Sequence, residues 1–143
     1  MDAIRGAVLN NKADLGLIFD TDVDRMSAVF SDGQEVNRDA LIAMMAAILV
    51  KDYPNSTIVT DSVTSDKLTA FLEGELHLKH HRFQRGYKNV INECKRLNEE
   101  GVVSPLAIET SGHGALKENY YLDDGAYMAV KLLIADKLKL SRR

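Results

Sequence analysis

The chain has 143 residues, with 18 Lys and Arg against 21 Asp and Glu, a net charge of −3 when histidine is neutral. That length holds one domain of ordinary size and hardly two complete ones, and 45% hydrophobic with 27% charged residues is a globular composition, not a disordered or fibrous one. The acidic balance argues against a nonspecific nucleic-acid binder, which needs clustered basic charge. Cys94 is the only cysteine, so no intrachain disulfide or cysteine metal site is available, and a reducing, cytoplasmic setting is expected. The longest apolar run, residues 40–50, is too short to span a bilayer, and Met1-Asp2 opens no basic leader. No membrane partner is expected.

Apolar runs alternate with helical patterns along the chain, the signature of an α/β layer fold. Residues 15–19 form a short apolar run ending in acids, as a buried strand does, and residues 26–30 read as a second strand. A turn at residues 31–34 leads to a helix opening at Asn37 or Arg38 and ending near Asp52, where Tyr53-Pro54-Asn55 stops it. Residues 57–60 are the next strand. Ser65 is a plausible N-cap for a helix through Glu73, and residues 76–80 return as a strand by alternation. Residues 87–98 are helical in pattern, with Val90, Ile91, Cys94 and Leu97 on one face and Gly101 as the stop. Residues 106–108 are the last strand, and a final helix over about 124–139 turns Met128, Leu132 and Leu133 inward. Polar clusters stand where apolar strands end, which is where open α/β sheets bind ligands.

The strongest cluster is Asp20-Thr21-Asp22-Val23-Asp24-Arg25. Three carboxylates at alternate positions repel one another unless a cation sits among them, and hard divalent ions prefer carboxylate oxygens, which makes magnesium the first choice. Arg25 adds a planar donor fork suited to a phosphate. A solvated acidic turn is the alternative. A calcium EF-hand is excluded, because its sixth and twelfth positions, Gly and Glu, fall here on Arg25 and Ser31.

A second cluster, Glu109-Thr110-Ser111-Gly112-His113-Gly114, joins an acid, two hydroxyls and an imidazole, a set suited to sugar hydroxyls and proton exchange. An ordinary polar loop is its alternative reading. Gly86-Tyr87-Lys88 is a weaker signal, since a Lys in the first turn of a helix is usually solvated. His80-His81 read as strand-end surface residues, Asp123-Asp124 as a helix cap, and Ser62, Thr64 and Ser65 as capping residues.

Asp20-x-Asp22-x-Asp24-Arg25, then Gly86-x-Lys88, then Glu109-x-Ser111-Gly112-His113, in this order and spacing, resembles the α-D-phosphohexomutase superfamily, specifically its bacterial phosphomannomutase/phosphoglucomutase branch, over residues 13–138. Gln84-Arg85 stands where that family more often has a Thr and a small apolar residue.

The resemblance implies transfer of phosphate between the 1- and 6-positions of a hexose phosphate through a phosphoserine and a bisphosphorylated sugar. It further implies Mg2+ held by Asp20, Asp22 and Asp24, and a phosphoryl group stabilised by Arg25. Sugar hydroxyls would be bound by Glu109 and Ser111 beside Gly112, with Lys88 and His113 serving charge stabilisation and proton transfer. The family's phosphoserine and terminal phosphate-binding loops are not among these residues, so the missing domains of the parent enzyme are the implied partners and the isolated chain is expected to be inactive. Implied domain limits are 1–34 for the end of a second domain, carrying the metal loop, and 35–143 for an entire third domain, carrying the sugar loop. The implied fold is a three-layer α/β/α domain with a mixed, mainly parallel sheet of about four strands, plus a strand or hairpin remnant. Two other readings remain. Asp20-Thr21-Asp22-Val23 after an apolar strand fits a haloacid-dehalogenase-like phosphatase with Asp20 as nucleophile, although that superfamily needs neither Asp24-Arg25 nor a Ser-Gly-His loop. The chain could also be a non-catalytic sugar-phosphate binding module.

Overall fold

A computed structural model describes residues 2–141, with burial described through residue 135. It begins with a helix that was not among the expected elements, α1 (Asp2–Asn11), whose one buried residue is Val8. Next come β1 (Leu15–Phe19) and β2 (Met26–Phe30), which pair antiparallel with Leu15 opposite Phe30 and Phe19 opposite Met26. The acidic loop is therefore the loop of a β-hairpin. This hairpin is not left bare, as two strands alone would be marginal in water. α1 covers it at Gly16, and Met26 and Ala28 reach into the main core.

A four-stranded sheet follows in the order β4-β3-β5-β6. Its central strand β3 (Thr57–Asp61) is buried along its whole length and runs parallel to β4 (Lys79–Phe83) and to β5 (Leu106–Ile108); β6 (Gly114–Leu116) adds antiparallel to β5. Alternation sends Ile58, Leu106 and Ile108 to one face, against α2 (Arg38–Leu49), α3 (Asp66–Ala70) and α5 (Gly125–Ser141). Val59 and Ala107 point to the other face and meet Val90, Cys94 and Leu97 of α4 (Tyr87–Glu99). The result is the α/β/α layering expected, with a mixed, mainly parallel sheet and a separate antiparallel hairpin.

Side-chain caps set the helix starts. The Ala40 N–H donates to Asn37 at 2.7 Å, the Leu68 N–H to Ser65 at 3.2 Å and the Tyr127 N–H to Asp124 at 3.0 Å.

Several expectations are corrected. The helix expected through Glu73 stays α-helical only to Ala70 and widens into a π-helical turn over Phe71–Glu75. That turn buries Leu72, and after it His77 takes a left-handed backbone (φ 56°) while Leu78 drops into the core, so the strand begins at Lys79 and not at residue 76. His80 is half-buried and held on both ring nitrogens: Nε2 meets the Thr60 hydroxyl and Nδ1 the Thr69 hydroxyl, each at 2.7 Å. Leu133 points outward: at about 100° per residue from Met128, Leu132 and Ala129 lie about 40° and about 100° around the helix and fill the core, whereas Leu133, at about 140°, falls past that buried arc. No described helix is long and apolar enough to cross a membrane.

A Cβ at Gly16 would stand 2.4 Å from Val8 Cγ2 and 3.1 Å from Ile4 Cγ1. Gly16→Val is expected to push α1 off the hairpin and lower stability by about 1–3 kcal/mol, measured by urea unfolding.

Candidate active site at the strand ends

The acidic loop closes on itself through its arginine. Arg25 Nε donates to Asp20 Oδ2 at 2.7 Å and the Arg25 backbone N–H to Oδ1 at 3.3 Å, and the Val23 N–H turns back to the Asp20 carbonyl at 3.1 Å. The guanidinium bond holds the Asp20 carboxyl well below the ordinary carboxylate value, at about 2. Asp24 moves the other way: partial desolvation and the neighbouring Asp20 raise it. Its Oδ1 is buried without a hydrogen-bond partner, and its Oδ2 lies 3.6 Å from His113 Nδ1. Asp22 is exposed.

The 109–113 loop arrives at the same place from the end of β5. Arg25 and His113 form an antiparallel backbone bridge, which joins the two loops main chain to main chain. The His113 Nδ1–H donates to Asp123 Oδ2 at 2.6 Å, and the other Asp123 oxygen accepts the Gly114 N–H at 3.0 Å. Tyr87 stacks on the imidazole with ring centres 4.5 Å apart, and Lys88 Nζ lies 6.0 Å from the Tyr87 ring. Glu109, 6% exposed, accepts the Gly86 N–H on Oε1 at 2.7 Å and the Ser111 hydroxyl on Oε2 at 2.9 Å. Two glycines allow this closeness. Gly112 has φ 99°, and a Cβ there would lie 3.4 Å from the Met26 carbonyl; at Gly125 it would lie 3.0 Å from the Val23 carbonyl and 3.2 Å from the Asp24 carbonyl carbon.

All three expected clusters therefore meet. Asp20, Asp24 and Arg25 lie in one loop, His113 touches it, and Glu109 ties the Ser111 side of its loop to the Gly86 turn. Asp22 and Lys88 stand at the exposed margin. Among the described residues, the group whose ligand atoms lie within 4.8 Å of one another is Asp24, His113 and Asp123. Asp123 was expected only as a cap. Asp124 does the capping, and its neighbour orients the imidazole; two identical acids side by side give no sequence signal of that division. Tyr87 was the unassigned middle of Gly86-x-Lys88. A cavity of about 740 Å³ between α2 and α5 contains none of these residues, so the convergence of titratable groups locates the site.

The α/β/α domain thus sets an acidic hairpin loop against a Glu-x-Ser-Gly-His loop. The family described as phosphoglucomutase/phosphomannomutase, alpha/beta/alpha domain III, matches residues 37–141, and the chain belongs to that family. It is 34% identical over 122 residues to phosphomannomutase/phosphoglucomutase of Pseudomonas aeruginosa, covering 85% of this chain and 25% of that protein. It is 32% identical over 136 residues to phosphoglucosamine mutase of Corynebacterium efficiens, covering 93% and 29%. A crystal structure of a phosphoglucomutase/phosphomannomutase family protein from Burkholderia thailandensis superposes with a TM-score of 0.79 at 30% identity, covering 93% of this chain and 28% of that one. The chain thus spans between a quarter and a third of the length of these relatives.

Two outcomes follow from this geometry. In Arg25→Met the Asp20 carboxyl should titrate near its ordinary value of 3.8 instead of about 2, followed by carbon NMR of the carboxyl. A depressed carboxyl stabilises fully above its unfolded value and loses that stabilisation as pH falls through the folded one, so the variant should lose the wild type's acid tolerance between those two values. Because the atoms facing Gly125 are backbone, Gly125→Ala should destabilise by about 1–3 kcal/mol and shift the amide resonances of residues 22–25.

Proposed function

We propose that the chain carries the metal-binding and sugar-binding walls of a phosphohexomutase active site, the parent activity being interconversion of hexose 1-phosphate and hexose 6-phosphate through a phosphoserine and a bisphosphorylated sugar. The observation carrying this reading is that the acidic loop, the Gly86 turn and the 109–113 loop, separate in sequence, converge around His113. In this reading residues 1–34 end a preceding domain and residues 35–143 are a third domain. The relatives' names support the substrate class of hexose phosphates.

Asp20, Asp22 and Asp24 would hold Mg2+. Carboxylate oxygens are the donors a hard cation prefers, and the Asp24 Oδ1 is buried and unpartnered, with its carboxyl raised by desolvation and by the neighbouring Asp20. The ion would supply charge neutralisation to a transferring phosphoryl group. Arg25, fixed at Nε by Asp20, keeps its two terminal nitrogens for phosphoryl oxygens. Glu109 and Ser111, backed by Gly112, offer an acceptor and a hydroxyl side by side, a match for neighbouring sugar hydroxyls. His113, held at Nδ1 by Asp123, keeps Nε2 to take or return a sugar hydroxyl proton, and Lys88 adds positive charge at the rim.

The reading predicts weak Mg2+ binding that Asp24→Asn abolishes, and no mutase or phosphatase turnover by these 143 residues alone. Calorimetry and a coupled assay with glucose 1-phosphate check both. Submicromolar Mg2+ affinity would contradict a partial metal shell. Phosphate ester hydrolysis that disappears in Asp20→Asn would overturn the mutase reading in favour of a phosphatase with Asp20 as nucleophile.

A further inference from the structure

Between Glu109 and Ser111 stands Thr110, which the sugar-binding pattern leaves as an unassigned position. Residues 109–112 form a turn closed by the Gly112 N–H donating to the Glu109 carbonyl at 3.2 Å; within it the Ser111 hydroxyl donates to the Glu109 carboxylate at 2.9 Å, while Thr110 bonds away from both. Every polar atom of Thr110 is held from outside its loop. Its N–H donates to Asp61 Oδ1 at 3.2 Å, its hydroxyl to Asp61 Oδ2 at 2.7 Å, and its carbonyl accepts from Arg38 Nη1.

Asp61 ends β3, the central strand of the sheet, and is 1% exposed. A carboxylate so deeply placed costs stability unless its oxygens are satisfied, and both are spent on this one residue. The strand end beneath it is fixed as well: the Asp61 carbonyl accepts the Thr64 hydroxyl at 3.1 Å, and Thr64 accepts Arg82 Nε at 3.1 Å.

We propose that Asp61, with Arg38, acts as a positioning residue for the substrate loop, fastening Thr110 so that Glu109 and Ser111 present their oxygens to a sugar in one fixed geometry. The inference rests on the sugar-binding reading of that loop. Preorganisation is the physical content. A hexose met by a loop already fixed loses less ordering entropy on binding than one met by a loop that must still settle.

The test uses the full chain labelled with nitrogen-15, with glucose 1-phosphate as probe. Asp61→Asn keeps the shape but replaces one acceptor with a donor facing Thr110. It should speed hydrogen exchange at the Thr110 amide by roughly tenfold, shift the Gly86 and His113 amide resonances, and weaken glucose 1-phosphate binding by a similar factor. Thr110→Val should act the same way, Thr110→Ser should restore wild-type exchange and affinity, and the Asp61→Asn/Thr110→Val pair should be no worse than either alone. Arg38→Met, at an exposed position, removes only the carbonyl bond and should give a smaller loss in the same direction, which keeps a folded variant available if Asp61→Asn unfolds.

Wild-type exchange and affinity in Asp61→Asn or Thr110→Val would overturn the proposal. So would losses in Thr110→Ser as large as those in Thr110→Val. If glucose 1-phosphate perturbs no resonance of residues 86–88 and 109–113 in the wild type, the sugar-binding reading fails instead. The fastening of the loop is then judged by the Thr110, Gly86 and His113 amides alone.

Discussion

The contact of His113 with the acidic hairpin loop is the constraint on which the site depends. The imidazole is held on one side by Asp123, stacked on another by Tyr87, and joined to Arg25 through the backbone. Each of those residues belongs to a different segment: the start of α5, the start of α4 and the hairpin loop. Moving any one of these relative to the sheet would separate the hairpin carboxylates from the Glu109 and Ser111 oxygens. The close approach also explains why Gly125 lacks a side chain, since a Cβ there would meet the hairpin's backbone, whereas Gly112 is required by its φ of 99°.

Electrostatics inside the acidic loop divide the labour among like residues. Asp20 and Asp24 carry the same group four positions apart, yet the first is depressed by the Arg25 guanidinium and the second raised by desolvation and by Asp20 itself. The loop thus holds one carboxylate satisfied by protein and one that is not. An unsatisfied buried oxygen is a cost the fold bears, and such costs collect where a ligand relieves them.

The fold serves this junction in a simple way. A central strand buried along its length carries Asp61 at its carboxyl end, and the parallel neighbour β5 delivers residues 109–113 beside it. Binding groups at the carboxyl ends of parallel strands are the rule for open α/β sheets. The rest of the core, from Met45 to Leu106 and Met128, holds the helices against the sheet so that strand ends, loops and helix starts stay in register. Helix α1 and the hairpin extend that core on one side, through Val8, Met26 and Ala28.

Sequence alone determined most of the elements and their order, because apolar periodicity and capping residues are local signals. β1, β2, β3, β5, α2 and α4 stand close to their expected places. The motifs Asp20-x-Asp22-x-Asp24-Arg25 and Glu109-x-Ser111-Gly112-His113 were legible for the same reason, each lying within one short loop. What the chain did with neighbours far away in sequence was not legible. Asp61 on Thr110 spans 49 residues and Arg38 on Thr110 spans 72. α1 was not among the expected elements although Ile4, Ala7 and Val8 stand at helical spacing, β6 is too short to declare itself, and the π-helical turn shifts β4 because Leu72 and Leu78 find the core. Which of Asp123 and Asp124 caps and which grips His113, and which way Leu132 and Leu133 face, depended on packing against elements distant in the chain. Local pattern fixes what a segment can become; only the assembled layers decide which atoms it meets.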